Sequence, residues 1–248
     1  MKVNMLKVKF RSISAVFVFI VMIACDGDTR IVVPEGSVVG YVKLYSEHGV
    51  EMQDKSGVTV SIDQSTSTTT SSSGEFQFDH VEMGALSFHA EKQGFGPARL
   101  SNFIFAGGSQ PGVVSDIKLI LLPANDIINP AIKFNGTSGL TITGTMSVPT
   151  QEIYFKLYFS DQPDVSNEKF TTASVVNQYS LSPATDVNIQ FLWVATPGSI
   201  FATASHLYVA CYLTTPANQN DDYSYYDYQS SHYVDTASKK VGDVIQIK

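Results

Sequence analysis

Three groups of side chains have the types and spacing to do chemistry. His48-Gly49-Val50-Glu51 sets an imidazole and a carboxylate at the His-x-x-Glu spacing of paired zinc ligands. A catalytic zinc also needs a third protein ligand and a cavity that excludes bulk water. His80, His89, His206 and His232 form no ligand cluster by spacing, so the pair is read as chance and no metal site is assigned. Lys43, Asp116 and Glu82 supply the amine, the carboxyl and the assisting glutamate of an internal isopeptide bond. Lys43 alternates with Val42 and Leu44, however, so it should face solvent, where its amine stays protonated and poorly nucleophilic. The third group is Asp221-Asp222-Tyr223-Ser224-Tyr225-Tyr226-Asp227-Tyr228. Exposed tyrosines stack on sugar faces while their hydroxyls bond to water or glycan, which makes Tyr223, Tyr225, Tyr226 and Tyr228 candidate ligand contacts. Strand alternation puts Tyr226 and Tyr228 on one face with Ser224, and Tyr223 and Tyr225 on the other. The carboxylates suit calcium in type, although their spacing matches no EF-type loop. The plain alternative is an exposed loop or an edge strand whose acids deter pairing. There is no Gly-x-Ser-x-Gly, phosphate loop or dinucleotide fingerprint. No catalytic residue and no cofactor is assigned.

The N-terminus bears on location. Lys2, Lys7, Lys9 and Arg11 precede an apolar run from Ile13 to Ile23, followed by Ala24-Cys25-Asp26-Gly27-Asp28. A positive start, a short apolar segment and a small residue before the cut describe a secretory signal over residues 1–24. The run is shorter than the roughly 20 residues of a spanning helix, which argues against a retained transmembrane anchor. Met22-Ile23-Ala24-Cys25 resembles a bacterial lipobox, in which the chain is cut before a lipidated cysteine. That resemblance implies a mature chain starting at acylated Cys25 and held to a membrane by residues 25–36. Asp26 and Asp28 resemble the acidic stretch that marks surface export in lipoproteins of the Bacteroidota. By proteobacterial rules the same aspartate would mean retention at the inner membrane, so the leaflet stays open.

Composition sets bounds on the rest. Charged residues make up 16% and hydrophobic ones 44%, the balance of a globular chain. Losing residues 1–24 removes four basic residues and no acidic one, which moves the formal charge from −7 to −11. Such a balance invites neither nucleic acid nor an anionic lipid surface. Once Cys25 is acylated only Cys211 remains, in the apolar run Leu207–Leu213, and it is read as a small buried apolar residue.

The elements that must position these groups are strands. Short runs of alternating apolar residues, rich in Thr, Ser, Val, Tyr and Phe, are punctuated by Gly, Pro, Asn and Asp, and no window carries a capped helical stripe. Between residues 37 and 122 the core sets are Val38, Val42 and Leu44; Val58, Val60 and Ile62; Phe76 and Phe78; Leu86, Phe88 and Ala90; and Ile117, Leu119 and Leu121. Pro123-Ala124-Asn125-Asp126 reads as a short linker, stiff at its proline. Seven further strands are expected over 131–134, 140–148, 152–159, 175–180, 187–195, 207–213 and 244–247. Trp193 is expected to pack in the core with Ile189 and Phe191. Tyr154 to Phe159 is aromatic on both faces, which fits a strand covered on both sides or one presenting rings outward.

The first block also carries a resemblance. Gly40-Tyr41-Val42-Lys43-Leu44-Tyr45, Ser56-Gly57-Val58-Thr59-Val60, Thr70 to Gly74 leading into Glu75-Phe76-Gln77-Phe78, and Val81-Glu82-Met83-Gly84 ahead of Leu86 resemble the carboxypeptidase regulatory-like domain. This implies a transthyretin-like sandwich over 37–123, a fold found as a non-catalytic appendage. Gly74 suits a tight hairpin between the Ser/Thr strand and the Phe-x-Phe strand, and Gly84 a second turn. Asp235-Thr236-Ala237 resembles a bacterial O-glycosylation sequon, with Thr236 as acceptor. The expectation is an all-β chain of two tandem sandwiches, transthyretin-like over 37–123 and immunoglobulin- or fibronectin-like over 125–248. Its expected role is that of a lipid-anchored, non-catalytic envelope protein acting as an interaction or scaffold module on an envelope protein or glycan. The alternative is a carbohydrate-binding surface lipoprotein of a polysaccharide uptake system.

Overall fold

The computed structural model describes residues 34–63, 65–136, 139–174, 177–181, 185–192, 200–217, 224–227, 232–235 and 238–247. Its regular secondary structure is almost entirely strand, arranged as two β-sandwiches.

The N-terminal sandwich contains β1 (Glu35–Tyr45), β2 (Thr59–Ile62), β3 (Thr66–Thr69), β4 (Glu75–Glu82), β5 (Gly84–Glu91), β6 (Ala98–Phe105), β7 (Gly112–Val113) and β8 (Ile117–Ile120). In one sheet β1 pairs antiparallel with β4 and parallel with both β7 and β8. The other is antiparallel, in the order β3-β2-β5-β6. Apolar residues at every second position close these sheets face to face. Val38, Val42, Leu44, Val58, Val60, Phe76, Phe78, Phe88 and Leu119 are all buried, and the rings of Phe76, Phe78 and Phe88 lie within 6.0–6.2 Å of one another. Each expected core set is found here, with Leu121 only partly buried.

The hairpin expected at Gly74 is not formed. β3 consists wholly of Thr and Ser and pairs at the edge with β2, whereas β4 carries Phe76 and Phe78 and pairs with β1. The turn therefore carries the chain from one sheet to the other. Gly74 does adopt a left-handed backbone, at φ +88°, and its carbonyl accepts the Val42 amide at 2.8 Å, which seats the turn on β1. Gly84 has no positive φ and opens β5 directly.

The C-terminal sandwich contains β9 (Ile127–Phe134), β10 (Gly139–Met146), β11 (Glu152–Ser160), β12 (Thr172–Ala173), β13 (Asn177–Ser180), β14 (Asp186–Leu192), the four-residue helix α1 (Ile200–Thr203), β15 (Tyr208–Thr214), β16 (Ser224–Asp227), β17 (His232–Asp235) and β18 (Ser238–Gln246). One sheet runs β14-β10-β9. In the other β11 pairs with β12, β13 and β15, and β15 pairs with β18. Strands β16 and β17 form a separate ribbon between β15 and β18. Phe155, Leu157, Phe159, Ile189, Phe191, Val209, Cys211 and Leu213 fill the space between the sheets.

The sheet of β11 and β15 is buried on its outer face as well. Tyr158, Ala210 and Tyr212 pack there against Val165 and Phe170 from the segment after β11, with the Tyr158 ring 4.9 Å from Phe170 and 5.2 Å from Tyr212. Aromatic residues on both faces of β11 thus mark a strand covered on both sides. Cys211 is fully buried, and the loss of solvent pushes its thiol well above the ordinary range, as befits a core residue. Trp193 lies outside the described residues, while Ile189 and Phe191 are buried as expected.

Candidate functional site

Where the two sandwiches join, the chain builds a cleft. β1 ends at Tyr45, and the next residues fold into a tight loop. The Ser46 amide donates to the Val50 carbonyl at 2.9 Å, and Gly49 N–H returns to the Ser46 carbonyl at 2.9 Å. This projects Glu47 toward the second sandwich. Its carboxylate accepts the Ala124 amide at 3.3 Å, and its backbone carbonyl accepts the Ala217 amide at 3.3 Å, so one residue grips both the linker and the segment after β15. Pro123 is buried. Asp126 is tied by its amide to Ser147 Oγ at 2.9 Å and by its carboxylate to Lys239 at 3.2 Å. The linker is therefore packed against both neighbours, not extended in solvent.

The cleft encloses about 450 Å³, within the range of roughly 300–1,000 Å³ typical of small-ligand sites. It is lined by Glu47 and His48, by the linker residues Pro123, Ala124 and Asn125, by Met146 and Pro149 to Tyr154, and by Leu213, Thr214 and Pro216. Residues 152 and 154 share a strand face, which lets the Tyr154 hydroxyl donate to Glu152 Oε2 at 2.8 Å. Partial burial, with the neighbouring carboxylate second, pushes the Tyr154 phenol above its ordinary range and keeps it a neutral donor. Among the described residues two carboxylates line the cleft and no Lys or Arg does. The side-chain amides of Asn125 and Gln151 have no partner among the described residues. A smaller hollow of about 280 Å³ opens beside Phe159, Tyr179, Phe191 and Phe201, and is walled by the sandwich's own core aromatics.

The residues singled out from sequence lie elsewhere. His48 and Glu51 do not converge: His48 is 71% exposed beside Glu47 at 3.7 Å, and Glu51 pairs with Lys55 at 3.1 Å. Lys43 meets Asp116 at 2.5 Å, with both side chains over a third exposed, and that ion pair holds the amine protonated above its usual range. Glu82 sits opposite Glu35, eight residues back along β1 from Lys43, roughly 26 Å at strand rise, so the three isopeptide residue types are not brought together. Tyr225 and Tyr226 belong to β16, whose register sets them opposite Val234 and Tyr233, and the ribbon comes alongside β6 of the first sandwich. Cys25, Tyr223, Tyr228 and Thr236 lie outside the described residues. Sequence reasoning passed over Glu47, Gln151 and Tyr154. Their one shared signal is the set of prolines, 123, 149 and 216, that breaks strands near the cleft.

No protein-family model matches the chain, and neither does any curated protein. Among solved structures, a candidate carbohydrate-binding protein from Bacteroides uniformis is similar at 16% identity and a TM-score of 0.31, covering 87% of this chain and 99% of that one. A DUF3823 family protein from Parabacteroides merdae follows at 13% identity and a TM-score of 0.31, with 85% and 100% covered. The major pilin SpaD of Corynebacterium diphtheriae stands at 12% and 0.26, with 86% and 65% covered. Scores this low carry no argument about fold or function, which rest on the chain's own residues.

Proposed function

We propose that the mature chain is a lipid-anchored, non-catalytic protein of the cell envelope that acts as an interaction module. The observation that carries this reading is the junction. Two sandwiches with separate cores are fastened to each other through Glu47 and the linker, which holds a cleft open between them. Chains that only need to bind have use for such a rigid concave surface, and loops set on rigid sheets are where recognition concentrates. The anchor follows from Cys25, ten residues ahead of β1, a tether that spans at most about 35 Å. A cysteine carrying several acyl chains holds firmly where a single chain binds marginally. Cys25→Ser should release the protein from the membrane fraction or block its processing. Membrane retention unchanged after detergent-free washing would overturn the anchored reading.

A further inference from the structure

The geometry points to the junction cleft as a site for a neutral saccharide, seated on the Tyr154 ring. This rests on reading the chain as a binding module and gives that module its ligand class.

The groups that line the cleft match those of a neutral sugar. Glu47 already accepts the Ala124 amide and Glu152 the Tyr154 hydroxyl, so each carboxylate is held in place by an uncharged donor and keeps lone pairs to spare. Those lone pairs suit ligand hydroxyls, which donate. The amides of Asn125 and Gln151, without a partner among the described residues, can each donate and accept, as the alternating oxygens of a sugar ring require. Tyr154 is only partly buried, and its ring offers an apolar face for the C–H side of a pyranose, with its hydroxyl kept as a neutral donor. An anionic ligand has no Lys or Arg among the described lining residues to pair with and meets two carboxylates, so uronates and phosphates are disfavoured. A cationic peptide would call on the two carboxylates alone, whereas a polyol also uses the uncharged Asn125 and Gln151 amides and the Tyr154 ring. The wall positions are set by hydrogen bonds across the junction, so little ordering cost falls on binding.

The test uses the native mature lipoprotein in detergent, titrated calorimetrically with neutral trisaccharides of glucose, mannose, galactose and xylose. Trigalacturonate and an oligolysine peptide serve as comparison ligands. Binding of at least one neutral trisaccharide is expected. Tyr154→Ala should weaken it at least tenfold, Gln151→Ala severalfold, and Tyr154→Phe little, because the ring is kept. Gln151 is exposed, so its variant keeps the test valid should Tyr154→Ala fold poorly. Saccharide binding untouched by the Gln151 and Tyr154 variants moves the site elsewhere and overturns the inference, while the binding-module reading stands. Preference for trigalacturonate or oligolysine, or no binding by any trisaccharide, also overturns it. The Cys25→Ser fractionation is independent of all these outcomes.

Discussion

Replacing Gly74 with alanine should cost the first sandwich far more than the same change at Gly84, although both glycines follow a strand-like run and look alike in sequence. Gly74 has a φ of +88°, where an L-side chain costs about 1–2 kcal/mol. A Cβ there would also stand 2.2 Å from the Val42 carbonyl oxygen and 3.1 Å from Lys55 Cδ. The lysine stem can yield, but the β1 backbone cannot. The turn must withdraw, and the 2.8 Å bond from Val42 N–H to the Gly74 carbonyl is stretched or lost, at about 1–3 kcal/mol for groups in a buried turn. The sum is roughly 2–5 kcal/mol, which for a chain of this size lowers Tm by roughly 5–20 °C. At Gly84 nothing lies within 4 Å of the added carbon and the backbone is not left-handed, so the change should fall within about 0.5 kcal/mol of neutral. Paired thermal and urea melts followed by circular dichroism decide it. Equal shifts for the two variants, or a Gly74→Ala melt within a degree or so of wild type, would refute the claim that this turn is seated on β1.

Three further outcomes are expected. His89 is partly buried with Arg99 nearby, and both effects hold its imidazole below the ordinary range. Its neutral form thus contributes stability that is present above the unfolded value of about 6.5 and lost as pH falls through it toward the folded value. His89→Gln should flatten the urea midpoint between about pH 7.5 and 5.5, and an unchanged slope rejects the assignment. Cys211, fully buried and with a raised pKa, should resist iodoacetamide at neutral pH in the native protein and react fully once unfolded; mass spectrometry showing native labelling would contradict the buried placement. Fragments 34–123 and 125–248 should each give dispersed amide spectra, because their cores share no residue, yet each should melt earlier than in the whole chain for want of the Glu47 contacts. A molten spectrum from either would mean that the cores depend on one another.

Most of the strands were legible because alternation is a local signal, read two residues at a time. Val38, Val42 and Leu44 on β1 and Phe155, Leu157 and Phe159 on β11 announce their buried faces without reference to any partner. Pairing is a different matter. The Ser/Thr run and the Phe-x-Phe run are adjacent in sequence with a glycine between them, and a hairpin is the local inference; the chain instead crosses between sheets, because a strand of hydroxyls is tolerable at the edge while one with two buried phenylalanines must lie over the core. Likewise β7, β12 and β17 escaped notice, since two residues, or four with a single aliphatic one, show no alternation to read.

The cleft was out of reach for a further reason. Its parts belong to four separate stretches, the loop after β1, the linker, the end of β10 with the start of β11, and the end of β15, and none of them looks functional alone. Glu47 reads as a surface acid in a polar loop, and only the structure shows its carboxylate and its backbone carbonyl occupied by Ala124 and Ala217. The same juxtaposition gives the aromatic β11 two uses. Its inward residues fill the core, its outer face past the middle is covered by Val165 and Phe170, and on that outer face Glu152 and Tyr154 at its start are left facing the cleft. A strand buried on both faces along most of its length leaves little freedom at its open end. The Tyr154 ring is therefore held by the sheet and by Glu152 before any ligand arrives, as a recognition surface of low ordering cost requires.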